Sequence, residues 1–256
     1  MEHQTIKGEK VPSLGLGTYR LTGDACVQAV ERALSMGYRH VDTAQMYGNV
    51  REVGRGIEES RVERAEIFLT TKVWPSDFAR DRVKGKTRDS LKKLRTDYVD
   101  LLLMHWPSGG VPLGETLGAM RELQDEGGVL HVGVSNFSPS LVEEAARHAE
   151  IFCNQVKYHP YKSQDALLDQ ARKMDYLLTA YTPLSRGGVQ DDATLREIGE
   201  AHGKTATQVA LRWLVQQEKV SAIPKATSEE HLEENLDVFD FELSEEEMDR
   251  ISSLGR

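Results

Sequence analysis

The chain has only two cysteines, Cys26 and Cys153, far apart and outside any Cys-x-x-Cys or zinc-ligand spacing. That excludes a disulfide framework and a cysteine metal centre, and a reducing compartment is the simplest setting. No apolar run approaches the roughly 18 to 20 residues needed to span a bilayer. The opening Met-Glu-His-Gln-Thr lacks the basic and then apolar segments of a secretory signal. Nor is there a block of lysine and arginine: the formal net charge is -9, which argues against nucleic acid as a partner. The expectation is a cytoplasmic protein, with no membrane association, that acts on a small molecule.

What is present is an alternation. After a hairpin predicted at residues 5–11, turning at Gly8-Glu9, apolar strands are expected near 14–17, 39–42, 67–71, 99–104, 130–134, 152–156, 177–181 and 221–224. Amphipathic helices are expected at 24–36, 49–59, 81–94, 113–126, 138–148, 164–173, 192–216 and 228–236, with a last one from Ser244 to Leu254. Asp24 and Ser138 read as N-caps, and Gly37 and Gly127 as helix stops. Strands as continuously apolar as Val99-Asp100-Leu101-Leu102-Leu103-Met104 suit a parallel sheet covered on both faces. An open doubly wound sheet would carry a Gly-x-Gly-x-x-Gly turn, but here Gly15-Leu16-Gly17-Thr18-Tyr19-Arg20 ends in arginine. The fold class expected is therefore a (β/α)8 TIM barrel over one domain, 1–256, with an N-terminal hairpin and an extra C-terminal helix.

Three successive strands end in proton-handling groups: Asp42 with Tyr47 in the loop beyond it, Lys72, and His105. The carboxyl ends of barrel strands are where such a fold holds its chemistry. Burial alone would strip the proton from Lys72, and Asp42 on the neighbouring strand would keep it. An ammonium beside Tyr47 is expected to bring the phenol down toward working pH as a general acid. His105 can hydrogen-bond the same substrate oxygen. An acid aimed at one developing oxyanion, with no nucleophile, fits carbonyl reduction by hydride from a cofactor.

Longer motifs then fall into place. Gly37-Tyr38-Arg39-His40-Val41-Asp42-Thr43-Ala44 with Tyr47-Gly48-Asn49, Thr71-Lys72-Val73-Trp74, and His105-Trp106-Pro107 come first. Gly133-Val134-Ser135-Asn136-Phe137, Asn154-Gln155, Ile223-Pro224-Lys225 and Leu232-Glu233-Glu234-Asn235-Leu236 follow in order. Over about residues 5 to 254 the chain resembles the aldo-keto reductases, most of all the bacterial 2,5-diketo-D-gluconate reductases and related small-carbonyl reductases. The resemblance implies a monomeric NAD(P)H-dependent enzyme with Tyr47 as proton donor, Asp42 and Lys72 as its tuning pair, and His105 orienting the substrate. It implies a site for NADPH (NADP+), with NADH accepted as well. Ser135, Asn136 and Gln155 would hold the carboxamide, Tyr181 would stack on the nicotinamide, and Lys225 would grip the 2′-phosphate. Gly17, Thr18, Tyr19, Asp42, Pro183, Leu184, Ser185, Ala226, Thr227, Ser228, His231, Glu234 and Asn235 complete the implied cofactor set.

Two departures shape the expected specificity. Ser228 and His231 stand where many NADPH-preferring members carry arginines, so permanent, bidentate phosphate contacts are lost, and Glu229 and Glu230 follow Ser228. The NADPH advantage should be small and should grow toward pH 6, as a histidine there gains charge. Only Gly255-Arg256 follow Leu254, so the pocket is expected to be open, walled by Tyr19, Trp74 and Trp106 and completed by Tyr47 and His105. Rival readings are a metal-dependent barrel hydrolase using His40 and Asp42, and a non-catalytic dinucleotide-binding regulator. No metal is expected, since Lys72 would compete with it.

Overall fold

Alternation at period two decides which way each strand residue points, and the computed structural model, which describes residues 1–255, follows it throughout. In the strand Val99–Met104, Leu101 and Leu103 belong to one buried cluster while Leu102 and Met104 belong to another. The first cluster fills the barrel interior; the second packs against the surrounding helices.

The chain opens with an antiparallel hairpin of β1 (His3–Ile6) and β2 (Glu9–Pro12). There follow β3 (Leu16–Gly17), α1 (Gly23–Ser35), β4 (His40–Asp42), α2 (Val50–Ser60), β5 (Phe68–Val73), α3 (Arg80–Leu94), β6 (Val99–Met104) and α4 (Leu113–Asp125). The second half runs β7 (Val129–Ser135), α5 (Pro139–Ala146), β8 (Cys153–Lys157), α6 (Asp165–Met174), β9 (Leu177–Tyr181), α7 (Ala193–His202) and α8 (Ala206–Val215). It closes with β10 (Val220–Ile223), α9 (Glu229–Leu236) and α10 (Glu245–Ser253). β3 to β10 pair in sequence order, all parallel. β3 returns to β10 through Gly15 N–H to Ala222 O (2.8 Å), Ala222 N–H to Ser13 O (2.9 Å) and Gly17 N–H to Pro224 O (2.9 Å). The fold is thus the expected (β/α)8 barrel. Closure explains Gly17, where a Cβ would lie 2.7 Å from the carbonyl oxygen of Ile223. Ile6 and Val11 of the hairpin join Phe68, Leu101, Phe152 and Leu177 at the amino end of the barrel. Chemistry is left to the opposite rim.

Three local expectations are corrected. The hairpin turns at Lys7-Gly8, both in the left-handed region (φ 48 and 87), because Ile6 pairs with Glu9 and leaves a two-residue loop. α1 begins after Thr22, so Asp24 lies inside its first turn and does not cap it. The segment 192–216 is two helices: Gly203 ends α7 at φ 66, and Thr205 with Gln208 forms a capping box that starts α8. Ser138 caps α5, and Gly37 and Gly127 take positive φ as expected. The expectation about the tail reaches Arg256, which lies outside the described residues.

Candidate active site

β4 and β5 pair with Asp42 opposite Thr70, so Lys72 lies two residues further along the same inward face. There its ammonium is wholly buried and donates to Asp42 Oδ1 (2.5 Å), Thr43 O (3.0 Å) and Tyr47 Oη (3.3 Å). The second carboxylate oxygen, Asp42 Oδ2, accepts from Gln155 Nε2 at 2.7 Å. Tyr47 is half-buried on a single helical turn, Gln45–Tyr47, its ring 5.1 Å from Tyr19 and 5.8 Å from His105 between centroids. Trp74 sets its ring nearly perpendicular to His105 at 5.0 Å. The four proton-handling residues therefore meet at one rim, with Tyr19 and Trp106 standing 47% and 43% exposed beside them.

Burial and charge pull each group in stated directions. Desolvation alone would lower Lys72, but Asp42, helped by Tyr47, reverses this and lifts it above the ordinary lysine value, so it stays cationic. For Tyr47 the expected lowering fails: burial raises the phenol above its ordinary value, and the neighbouring ammonium opposes this without overcoming it. The resting phenol is thus firmly protonated. His105 is pushed down to about 3, first by burial and then by the Lys72 charge, so it is neutral at working pH. Its Nδ1 is buried without a partner among the described residues.

Of the other implied residues, Thr18, Ser135, Asn136, Gln155 and Tyr181 are hydrogen-bonded into the same rim. Thr18 Oγ1 donates to Asp42 O (2.9 Å). Ser135 Oγ donates to Gln155 O (2.8 Å), while Asn136 Nδ2 donates to Ser135 Oγ (3.0 Å) and His105 O (3.2 Å). Asn136 adopts φ 64, which turns its side-chain oxygen to accept from Tyr181 Oη at 2.8 Å. Pro183, Leu184 and Ser185 follow β9 in a turn where Thr182 and Ser185 both have positive φ. Beyond β10, Lys225, Thr227 and His231 are exposed and Ala226 is buried; Ser228 caps α9 by accepting from His231 N (3.3 Å). Glu229 and Glu230 are exposed on the first turn of α9. Glu234 accepts from Thr205 Oγ1 (2.7 Å), and Asn235 is on the buried side of α9.

One positioning residue was present in a quoted motif but assigned no role. Asn49, 1% exposed, donates to Thr18 O (2.8 Å) and Leu21 O (2.9 Å) and accepts from Thr43 Oγ1 (3.0 Å). It ties the loop bearing Tyr19 to the segment bearing Tyr47. A polar residue following Gly48, at the start of a helix, was its only signal in the sequence. Asn49→Ala removes the side-chain donor to the Leu21 carbonyl, leaves the Thr18 carbonyl with Leu21 N–H alone, and takes the acceptor from Thr43 Oγ1. It is expected to cost about 2–4 kcal/mol, read as a lowered urea midpoint. An unchanged midpoint would refute this role.

The hydrolase reading finds no ligand set: among the described residues no three His, Cys, Asp or Glu converge. Asp42 is committed to Lys72 and Gln155, and His40 lies 3.3 Å from Thr70 Oγ1.

The Aldo/keto reductase family model matches residues 13–256. The glyoxal reductase of Bacillus subtilis (strain 168) is 40% identical over 252 residues, covering 97% of this chain and 91% of the relative. The methylglyoxal reductase DkgB of Salmonella typhi is 39% identical over 249 residues, covering 95% and 93%. Among solved structures, that of a presumed 2,5-diketo-D-gluconic acid reductase B superposes with a TM-score of 0.98 at 48% identity, covering 100% of this chain and 92% of that one.

Proposed function

This chain belongs to the aldo/keto reductase family, and on that premise we propose that it reduces small aldehydes, α-keto-aldehydes and sugar-derived ketones, with Tyr47 as proton donor. It is an oxidoreductase, and enzymes of this family use nicotinamide cofactors. The observation that carries the reading is the buried Lys72 ammonium held by Asp42 and in contact with Tyr47 Oη. The relatives named for glyoxal and methylglyoxal support small carbonyls as the substrate class. The assembled set of Asp42, Tyr47, Lys72 and His105 favours catalysis over a regulatory role.

The rim suits a nicotinamide by its donor chemistry. Buried Ser135 and Gln155, with Asn136, offer a hydroxyl and two amides beside the partly exposed ring of Tyr181. Lys225 and the amino end of α9 offer a cation and free backbone amides for a phosphate. A reduced nicotinamide, when bound there, would supply a hydride for the carbonyl carbon. Tyr47 gives its proton to the carbonyl oxygen, and Lys72 stabilises the phenolate left behind. Neutral His105 donates a hydrogen bond that orients that oxygen. Tyr19, Trp74 and Trp106 bound an open pocket.

We read NADPH as the main cofactor and NADH as a usable second. Lys225 supplies the permanent charge at the phosphate, Ser228 is spent on its cap, and Glu229 and Glu230 oppose an anion nearby. The kcat/KM ratio of NADPH to NADH is expected to be roughly tenfold or less, because the lost arginine contacts are worth about a factor of ten or more each. A ratio of a hundredfold or more (about 2.7 kcal/mol) contradicts this reading.

We place the enzyme in the cytoplasm as a monomer, the whole chain 1–256 acting as one catalytic domain. Both cysteines are unpaired and buried, and no helix among the described residues is long and apolar enough to cross a membrane. NADPH oxidation with methylglyoxal, nitrobenzaldehyde and a panel of keto-sugars tests the function. No turnover across that panel with either cofactor overturns it.

A further inference from the structure

We propose that Gln155 is a positioning residue: its side-chain amide holds the second oxygen of Asp42 and so keeps that carboxylate facing Lys72. The proposal rests on the reading of Lys72 and Tyr47 as the proton-donating pair.

β8 and β4 are not neighbours in the barrel; β5, β6 and β7 stand between them. The contact of Gln155 Nε2 with Asp42 Oδ2 at 2.7 Å therefore crosses the barrel interior, and Gln155 is only 2% exposed. The amide starts from a fixed base. Ser135 pairs with Gln155 in the β7–β8 register, and the Gln155 carbonyl accepts from both Ser135 Oγ (2.8 Å) and Asn136 N (2.9 Å). Ser135 and Asn136 themselves reach Gln155, His105 and Tyr181 but make no hydrogen bond to Asp42. Gln155 thus differs from the other polar groups of that rim.

A carboxylate presents two oxygens, and in a dry interior each needs a donor. Lys72 serves Oδ1, at 2.5 Å. Without Gln155, Oδ2 has no other side-chain donor among the described residues, and the carboxylate is free to rotate and let Oδ2 compete for the ammonium. That rotation would move Lys72 relative to Tyr47 Oη, 3.3 Å away. Gln155 thereby acts on the reacting proton through two intermediaries.

Two variants test this. Gln155→Leu removes the donor, and kcat is expected to fall on the order of ten- to a hundredfold at every pH, the usual size for one charge-assisted bond. In Gln155→Glu the new side chain can replace the amide only while protonated, and two carboxylates sharing one site strongly raise the proton affinity of one. Its kcat should approach that of the native enzyme near pH 5–6 and decline through neutrality, whereas the native profile stays flat. The melting temperature of cofactor-free protein gives a second readout. A carboxyl whose proton affinity is raised in the folded state loses stability as pH rises past its unfolded value, so the Gln155→Glu deficit should grow from pH 5 to pH 8. In an Asp42→Asn background the new carboxylate becomes the Lys72 counter-ion, and the deficit should vanish.

If Gln155 serves only to bind cofactor, both variants raise the NADPH Kd, kcat at saturation is unchanged, and the melting temperatures show no dependence on Asp42. That set of results overturns the proposal. The melts are independent of turnover. Coupling to Asp42 without carbonyl reduction would sink the functional reading and leave the Gln155–Asp42 contact standing; reduction without coupling would do the reverse.

Discussion

Tyr47→Phe is expected to lower the single-turnover rate of carbonyl reduction by about 10²–10⁴-fold, the range a positioned general acid contributes, while NADPH binds with nearly unchanged Kd. The substitution removes one oxygen from a half-buried ring and keeps its packing on Tyr19 and His105. The pH dependence follows from the same contacts. Burial holds the phenol above its ordinary value despite the ammonium 3.3 Å away. The acid form therefore persists across neutrality, and kcat should stay flat until alkaline pH removes the proton from Tyr47. A weak resting acid still serves, because an alkoxide formed on the substrate is a far stronger base and Lys72 stabilises the phenolate as it develops. His105, held at about 3, adds no limb near pH 6.5. A Tyr47→Phe enzyme that keeps more than a tenth of the native single-turnover rate would dispose of Tyr47 as the proton donor.

Lys72→Met should lower stability by about 3–5 kcal/mol, because it strands a carboxylate that is only 1% exposed. For a chain of this size that is a melting-temperature drop of roughly 6–20 °C. The energy lies mainly in the unpaired charge and much less in the lost attraction. Asp42→Asn/Lys72→Met should therefore recover most of the loss, since an amide and a thioether replace two ions. Acidification, which neutralises a stranded carboxylate, should also narrow the deficit. Chemical denaturation of the two single variants and the double variant measures the coupling. A double variant as unstable as the sum of its parts would show that Asp42 and Lys72 do not act as a pair. The same pair that charges Tyr47's neighbour is thus expected to support the fold around it.

Much of this molecule was legible in its residues. The near-continuous apolar run 99–104 predicted a covered parallel strand and matched β6 residue for residue. The order of strands and helices predicted a barrel because short connections leave few other ways to cover both faces. Asp42, Lys72 and His105 could be placed at one rim by counting to the ends of three successive strands. Where local cues were overlooked they were still present: Gly203 and the Thr205/Gln208 capping box divide what periodicity alone reads as one helix.

Other features had no local cue. Sequence gives the neighbours of a residue along and across adjacent strands, but the contact of Gln155 with Asp42 spans the barrel and exists only once the sheet closes. The proton affinity of Tyr47 likewise depends on how much water the assembled rim excludes. The ammonium beside it could be inferred; the burial that outweighs it could not. The residues themselves determined which groups the barrel carries and on which strand ends, since side-chain direction follows from period and order. Closure of the sheet decided which of those groups touch and how strongly each holds its proton, because desolvation and contacts across the interior belong to no single segment.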